Sequence, residues 1–93
     1  MIYELRERPE LFREAVGQVL RESRLRRKLT LREVSSKALV SLGYLSEVER
    51  GRKEASSEML ASICEANQIS LSQMLHSAAD RLDTDCDYTA QAA

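Results

Sequence analysis

The stretch TLREVSSKALVSLGYLSEVERG, residues 30–51, constrains this chain more than any other part of it. It reads as two short helices joined by a tight turn. Thr30 followed three residues later by Glu33 forms a capping box, and Leu31, Val34 and Ala38 then recur at helical spacing. Ser41 is placed to cap a second helix, and Leu45 and Val48 give that helix an inward stripe. Gly51 stands where a left-handed residue would close it. Two helices in this arrangement make a helix-turn-helix unit.

The remaining chain is also helical in pattern. Gly and Pro number three and one, and no long stretch alternates with β-branched residues. Aromatics are only 4%, with no Trp and one Phe, so a core has to be built from Leu, Val, Ile, Ala and Met. Ninety-three residues suffice for one such core. Pro9 and Glu10 suit the first turn of a helix expected over residues 10–28, with Phe12, Val16, Val19, Leu20 and Ser23 facing inward. Leu29 then enters the core. Ser56-Ser57 opens a fourth helix with Met59, Leu60, Ile63 and Cys64 on its buried face, ended by Asn67 and Gln68. Ser70 and Gln73 form a second capping box, before the stripe Leu71, Met74, Leu75, Ala78 and Leu82. The expected layout is an N-terminal arm over 1–9, an all-α domain over 10–82, and an acidic tail without periodicity over 83–93.

The formal net charge is −1, but it is unevenly spread. Arg21–Lys53 holds ten Lys/Arg against four Asp/Glu, a net of +6; the rest holds four against eleven, a net of −7. That asymmetry concentrates positive potential over the helix-turn-helix segment, as a polyanion partner requires. No apolar run is long enough for a signal peptide or a membrane span, so a cytoplasmic protein is expected. Cys64 and Cys86 show no metal spacing: Cys64 reads as a core residue and Cys86 as a free thiol in the tail.

Thr30, Ala38, Val40-Ser41, Tyr44-Leu45-Ser46 and Glu49-Arg50-Gly51 make the chain resemble the Cro/C1-type (XRE-like) DNA-binding helix-turn-helix family. Gly17–Leu20, Arg24 and Leu60–Leu75 extend the likeness to about two thirds of the chain. Within that family the run VSLGYLSEVERGRKEASSEML is similar to the actinobacterial Clp gene regulators, which activate transcription of Clp protease genes. The resemblance implies a five-helix, lambda-repressor-like domain with its helix-turn-helix at helices 2 and 3. It also implies an ion pair between Arg24 and Glu49 that ties the first helix to the recognition helix. Two departures stand out. Leu31 occupies a position that is usually Gln, and Leu39 one that is usually Gly, where a left-handed turn would be strained.

By resemblance the third helix, expected over Leu42–Arg50, enters the major groove. Residues near the N-terminus of a recognition helix meet base edges, which nominates Leu42, Gly43, Ser46 and Glu47. Leu42 offers apolar contact to a thymine methyl, Ser46 can donate or accept, and Glu47 can accept from cytosine N4. Gly43 either permits close approach or is merely tolerated near a helix end. Expected phosphate contacts are Arg26, Arg27, Lys28, Thr30, Arg32, Ser41, Tyr44, Arg50, Arg52 and Lys53; such contacts position without reading sequence. The cations ending the first helix would also complement its macrodipole, and Tyr44 could instead be a packing residue. Leu71, Met74, Leu75, Ala78 and Leu82 are expected to pack a homodimer, giving two recognition helices on a palindromic operator.

With one His and no glycine-rich phosphate loop, the sequence offers no catalytic constellation, no metal site and no cofactor site, and no enzyme is expected. Three readings remain open: a dimeric transcription regulator, an antitoxin-type DNA-binding protein that holds a toxin, and an interaction module that has lost DNA binding. The basic run argues against the third. For a regulator, Glu33 or Glu54 could touch RNA polymerase, and the C-terminal Ala92-Ala93 resembles tails taken by Clp-type proteases.

Overall fold

The computed structural model describes residue 9 and residues 11–83. The expected arm over 1–9 lies almost wholly outside those residues, as do Glu10, Cys86 and Ala92-Ala93. Five helices follow one another: α1 (Phe12–Arg26), α2 (Leu31–Ala38), α3 (Leu42–Glu49), α4 (Ser57–Ala66) and α5 (Leu71–Leu82). The architecture is all-α.

Four of the helices start on a hydroxyl side chain. Thr30, Ser41, Ser56 and Ser70 each accept a hydrogen bond from the backbone N–H three residues on, at 3.0, 3.1, 3.2 and 2.9 Å. Glu33 and Gln73 return the bond to the cap residue's own N–H, completing two capping boxes. Such caps satisfy amides that a short helix would otherwise leave orphaned.

The first four helices also end alike. Each closes on a left-handed residue: Lys28, Leu39, Gly51 and Gln68, at φ 58°, 60°, 76° and 63°. In each case the next residue's N–H reaches back five positions, as from Leu29 to the Arg24 carbonyl and from Val40 to the Ser35 carbonyl. This is the Schellman closure, and its usual apolar contact is present: Leu29, Val40 and Ile69 all pack against the core. Only one of the four positions is glycine. Leu39 therefore adopts the left-handed conformation with a full side chain, and it lies 90% exposed. Ser35 braces this turn, its buried hydroxyl donating to the Val40 carbonyl at 2.6 Å.

The core is aliphatic, as the scarcity of aromatics requires. Leu20, Val34, Leu45, Ile63 and Met74 are sealed from solvent, each from a different helix. α1 packs against α5 and α3, and α2 packs against α4 and α3, so α1 and α4 form the backing on which the helix-turn-helix rests. Asn67 lies wholly buried just after α4, and its amide donates to the Leu20 carbonyl at 3.2 Å. Cys64 is buried too; loss of solvation pushes its thiol up to about 11, so it stays protonated and inert.

Three expectations about the core are corrected. α1 runs over Phe12–Arg26 rather than residues 10–28, and Phe12 is half-exposed, with Ala15 taking the inward position instead. Met59 in the first turn of α4 is exposed, while Ala66 at its far end is buried. Met74 and Ala78 are fully buried within one chain, so they cannot offer surface to a second copy.

Candidate nucleic-acid interface

α3 is fixed from behind by α1. Arg24 of α1 holds Glu49, the last residue of α3, through two bonds: Nε to Oε2 at 2.8 Å and Nη2 to Oε1 at 3.0 Å. The third guanidinium nitrogen donates to the Leu29 carbonyl at 3.1 Å. Both side chains are hidden, 11% and 5% exposed, and the glutamate bond raises the arginine above its ordinary value. Two turns earlier on α1, Gly17 lets the helices touch. A Cβ there would sit 2.6 Å from the Val48 and Glu49 carbonyl oxygens. A third link comes from Arg13, whose Nε donates to the Gly51 carbonyl at 3.1 Å while Nη1 lies 3.5 Å from Glu54.

With its inner face locked by Leu45, Val48 and Glu49, α3 turns the rest outward. Gly43 is exposed, and Leu42, Ser46 and Glu47 are partly exposed. Glu47 is paired with Arg50, Oε2 to Nη1 at 3.5 Å, so the nominated base reader and a nominated phosphate ligand neutralise each other in the free protein. Thr30 and Ser41 each use one oxygen lone pair on a cap, which leaves the hydroxyl proton available to an acceptor.

Two of the residues nominated for phosphate are already engaged inside the chain. Arg27 donates to the Asn67 carbonyl at 3.3 Å and to the Gln68 carbonyl at 2.8 Å, closing the C-terminal end of α4. The Tyr44 hydroxyl donates to the Glu54 carbonyl at 3.3 Å, and its ring packs against the core. Arg27 therefore has a structural role while its side chain stays exposed, and Tyr44 is a packing residue that ties α3 to the following loop. By contrast Arg26, Lys28, Arg32, Arg52 and Lys53 are exposed and make no ion pair among the described residues. Lys37 joins them, an exposed cation that the sequence reading passed over. Glu33, nominated as a polymerase contact, has its carboxylate in the cap of α2.

Some structural ties had no sequence signal. Arg13, Ser35 and Asn67 bond to backbone carbonyls that any residue would supply, so nothing in their partners' identities marks them. Leu31 did carry a signal, its departure from the usual Gln, and it is half-buried against the core. Among the described residues there is no group of three His, Cys, Asp or Glu placed to hold a metal, and no helix long and apolar enough to cross a membrane.

A helix-turn-helix family profile matches residues 20–74. The transcriptional regulator ClgR of Mycobacterium tuberculosis is 60% identical over 72 residues. That match covers 77% of this chain and 64% of the relative, so the chain spans less than two thirds of that protein's length. Two crystal structures of the clp gene regulator ClgR from Corynebacterium glutamicum superpose well. One has a TM-score of 0.79 at 47% identity, covering 90% of each chain. The other has a TM-score of 0.76 at 52% identity, covering 80% of this chain and 96% of that one. A variant of the restriction-modification controller protein C.Esp1396I shares the fold, with a TM-score of 0.71 at 18% identity over 80% of this chain and 99% of that one. These relatives are regulators built on a lambda-repressor-like domain, and the chain is not an enzyme. It belongs to the Cro/C1-type helix-turn-helix family, among the proteins similar to the Clp gene regulators.

Proposed function

We propose that this chain is a DNA-binding transcription regulator in the cytoplasm that controls Clp protease genes as an activator. The observation that carries the reading is the mounting of α3: its inner face is clamped by Arg24, Gly17 and Arg13, while Gly43, Ser46 and Glu47 remain open on the outside. A rigid short helix with a solvent-facing polar edge suits insertion into a major groove, where the Glu47–Arg50 pair parts so that each meets the DNA. Leu42, Gly43, Ser46 and Glu47 meet base edges. Arg26, Lys28, Thr30, Arg32, Ser41, Arg50, Arg52 and Lys53 take phosphates.

The chain acts as a homodimer joined through the outer flank of α5. Leu71 and Leu75 are 36% and 42% exposed there, one turn apart on the same helix, and Leu82 is partly exposed at its end. Dimerisation sets two recognition helices about 34 Å apart on a palindromic operator. RNA polymerase contact falls to Glu54, whose side chain stays 72% exposed beside Arg13, whereas Glu33 is committed to its cap.

The test is a salt-titrated binding assay on genomic fragments, including those upstream of Clp protease genes. Tight binding to a few palindromic sites, two protomers to each and with a steep salt slope, is the expected result. Arg52→Ala should weaken all sequences alike and flatten that slope, whereas Glu47→Ala should change base preference at one position. Weak, sequence-blind binding throughout would refute the proposal.

A further inference from the structure

The described residues contain three glycines, and the chain itself demands two of them. Gly17 lies where α1 crosses the α3 backbone, and Gly51 is left-handed at φ 76° with the Glu14 backbone 3.0 Å from where its Cβ would stand. Gly43 differs on both counts. Its φ is not left-handed, and a Cβ there would meet nothing within 4 Å. Glycine is a poorer helix former than alanine, so α3 loses stability at this residue and recovers nothing inside the monomer.

What surrounds Gly43 keeps it bare. Ser41 is held by its cap bond to the Tyr44 N–H, and the Tyr44 hydroxyl is held by the Glu54 carbonyl, so neither neighbouring side chain is free to cover it. Gly43 also begins a stripe. Ser46, Glu47 and Arg50 follow at helical spacing on the same face, and the side chains lengthen from the first turn of α3 to its end. A helix that enters a groove with its N-terminal turn deepest needs that taper, because the first turn has the least room.

We infer that Gly43 determines specificity: its bare Cα lets base edges come closer to the first turn of α3 than any side chain would allow, and operator affinity is thereby gained at the expense of fold stability. The inference rests on the DNA-binding reading above and adds the point of closest approach to it.

The experiment compares the wild-type chain with Gly43→Ala on two duplexes of equal length and composition. One is selected from a random pool by the wild-type protein; the other is an unrelated sequence. Thermal unfolding is followed in parallel. The variant should melt higher, by up to about 8 °C, since only the helix penalty is removed and the interior value is its upper limit in the first turn. Its affinity for the selected duplex should fall about tenfold or more, as an extra methyl in a close-packed contact is poorly accommodated. Its affinity for the unrelated duplex should change less than about twofold, because phosphate contacts dominate there. Unchanged affinity on the selected duplex would mean that the glycine is merely tolerated. An equal loss on both duplexes would put the close approach at the phosphates. A lower melting temperature would reveal a conformational need for glycine; any of these three results overturns the inference. If the wild-type chain selects no duplex from the pool, the DNA-binding reading itself fails.

Discussion

Breaking the Arg24–Glu49 pair tests how α3 is held. Two bonds of 2.8 and 3.0 Å join them, with side-chain exposures of only 11% and 5%. Glu49→Ala leaves the guanidinium buried with the Leu29 carbonyl as its remaining partner. A buried pair broken on one side costs about 3–5 kcal/mol, where an exposed pair is worth about 0.2–1 kcal/mol. A domain of this size is held by about 5–14 kcal/mol in total. The loss should therefore lower the melting temperature by at least about 12 °C, at about 4–8 °C for each kcal/mol. Replacing both residues, Arg24→Met with Glu49→Met, removes the stranded charge and should recover most of the stability, since well-packed apolar replacements of buried pairs are often neutral or better. Urea and thermal unfolding followed by circular dichroism measure all three chains, and the double-mutant cycle isolates the coupling. High salt should change the wild-type value little, because a buried pair is poorly screened. If Glu49→Ala costs less than about 1 kcal/mol, the pair behaves as a surface ion pair and does not fix α3.

Other perturbations follow from the same geometry. Gly17→Ala should destabilise by about 1–3 kcal/mol, because its Cβ would meet backbone oxygens that cannot turn aside, and unfolding in urea measures it. Met74→Ala should cost about 2–5 kcal/mol in the monomer, whereas Leu75→Asp should leave the unfolding of dilute, monomeric protein nearly unchanged and lower the mass seen by sedimentation if α5 joins two copies. Leu39→Gly should stabilise by roughly 0.5–1 kcal/mol in thermal unfolding, since relief of left-handed strain outweighs the added freedom of the unfolded chain. Glu22 is bonded by Arg81, with one contact at 3.1 Å, and that bond holds its carboxyl below the ordinary value of 4.5. Its contribution is present above pH 4.5 and fades as the pH falls towards the lowered value, so Glu22→Gln should flatten the acid limb of the stability curve, by less than about 1 kcal/mol because the pair is half-exposed.

The starts of α2 to α5 were legible in the sequence because a cap is a local transaction, whereas α1, which has no hydroxyl cap, starts later than expected. A hydroxyl bonds the amide three residues on, so Thr30, Ser41, Ser56 and Ser70 announce themselves. The core stripes of α2 and α3 were legible for a similar reason, since Val34, Ala38, Leu45 and Val48 face one way whatever packs against them. Helix ends were harder. Only Gly51 carries the usual mark, while Lys28, Leu39 and Gln68 turn left-handed because the apolar residue after each is drawn into the core. That pull exists only once the core does.

The sequence also determined the charge asymmetry and the identity of the helix-turn-helix, both of which depend on residue type and spacing alone. Tertiary structure decided which residues remain free to act. Arg26 and Arg27 are adjacent, chemically identical and both exposed, yet one makes no ion pair among the described residues while the other closes the end of α4, 40 positions along the chain. Met74 and Leu75 share one stripe, but only Leu75 reaches the surface. In both pairs the outcome depends on which neighbour a side chain meets across the fold, and no local spacing encodes that meeting.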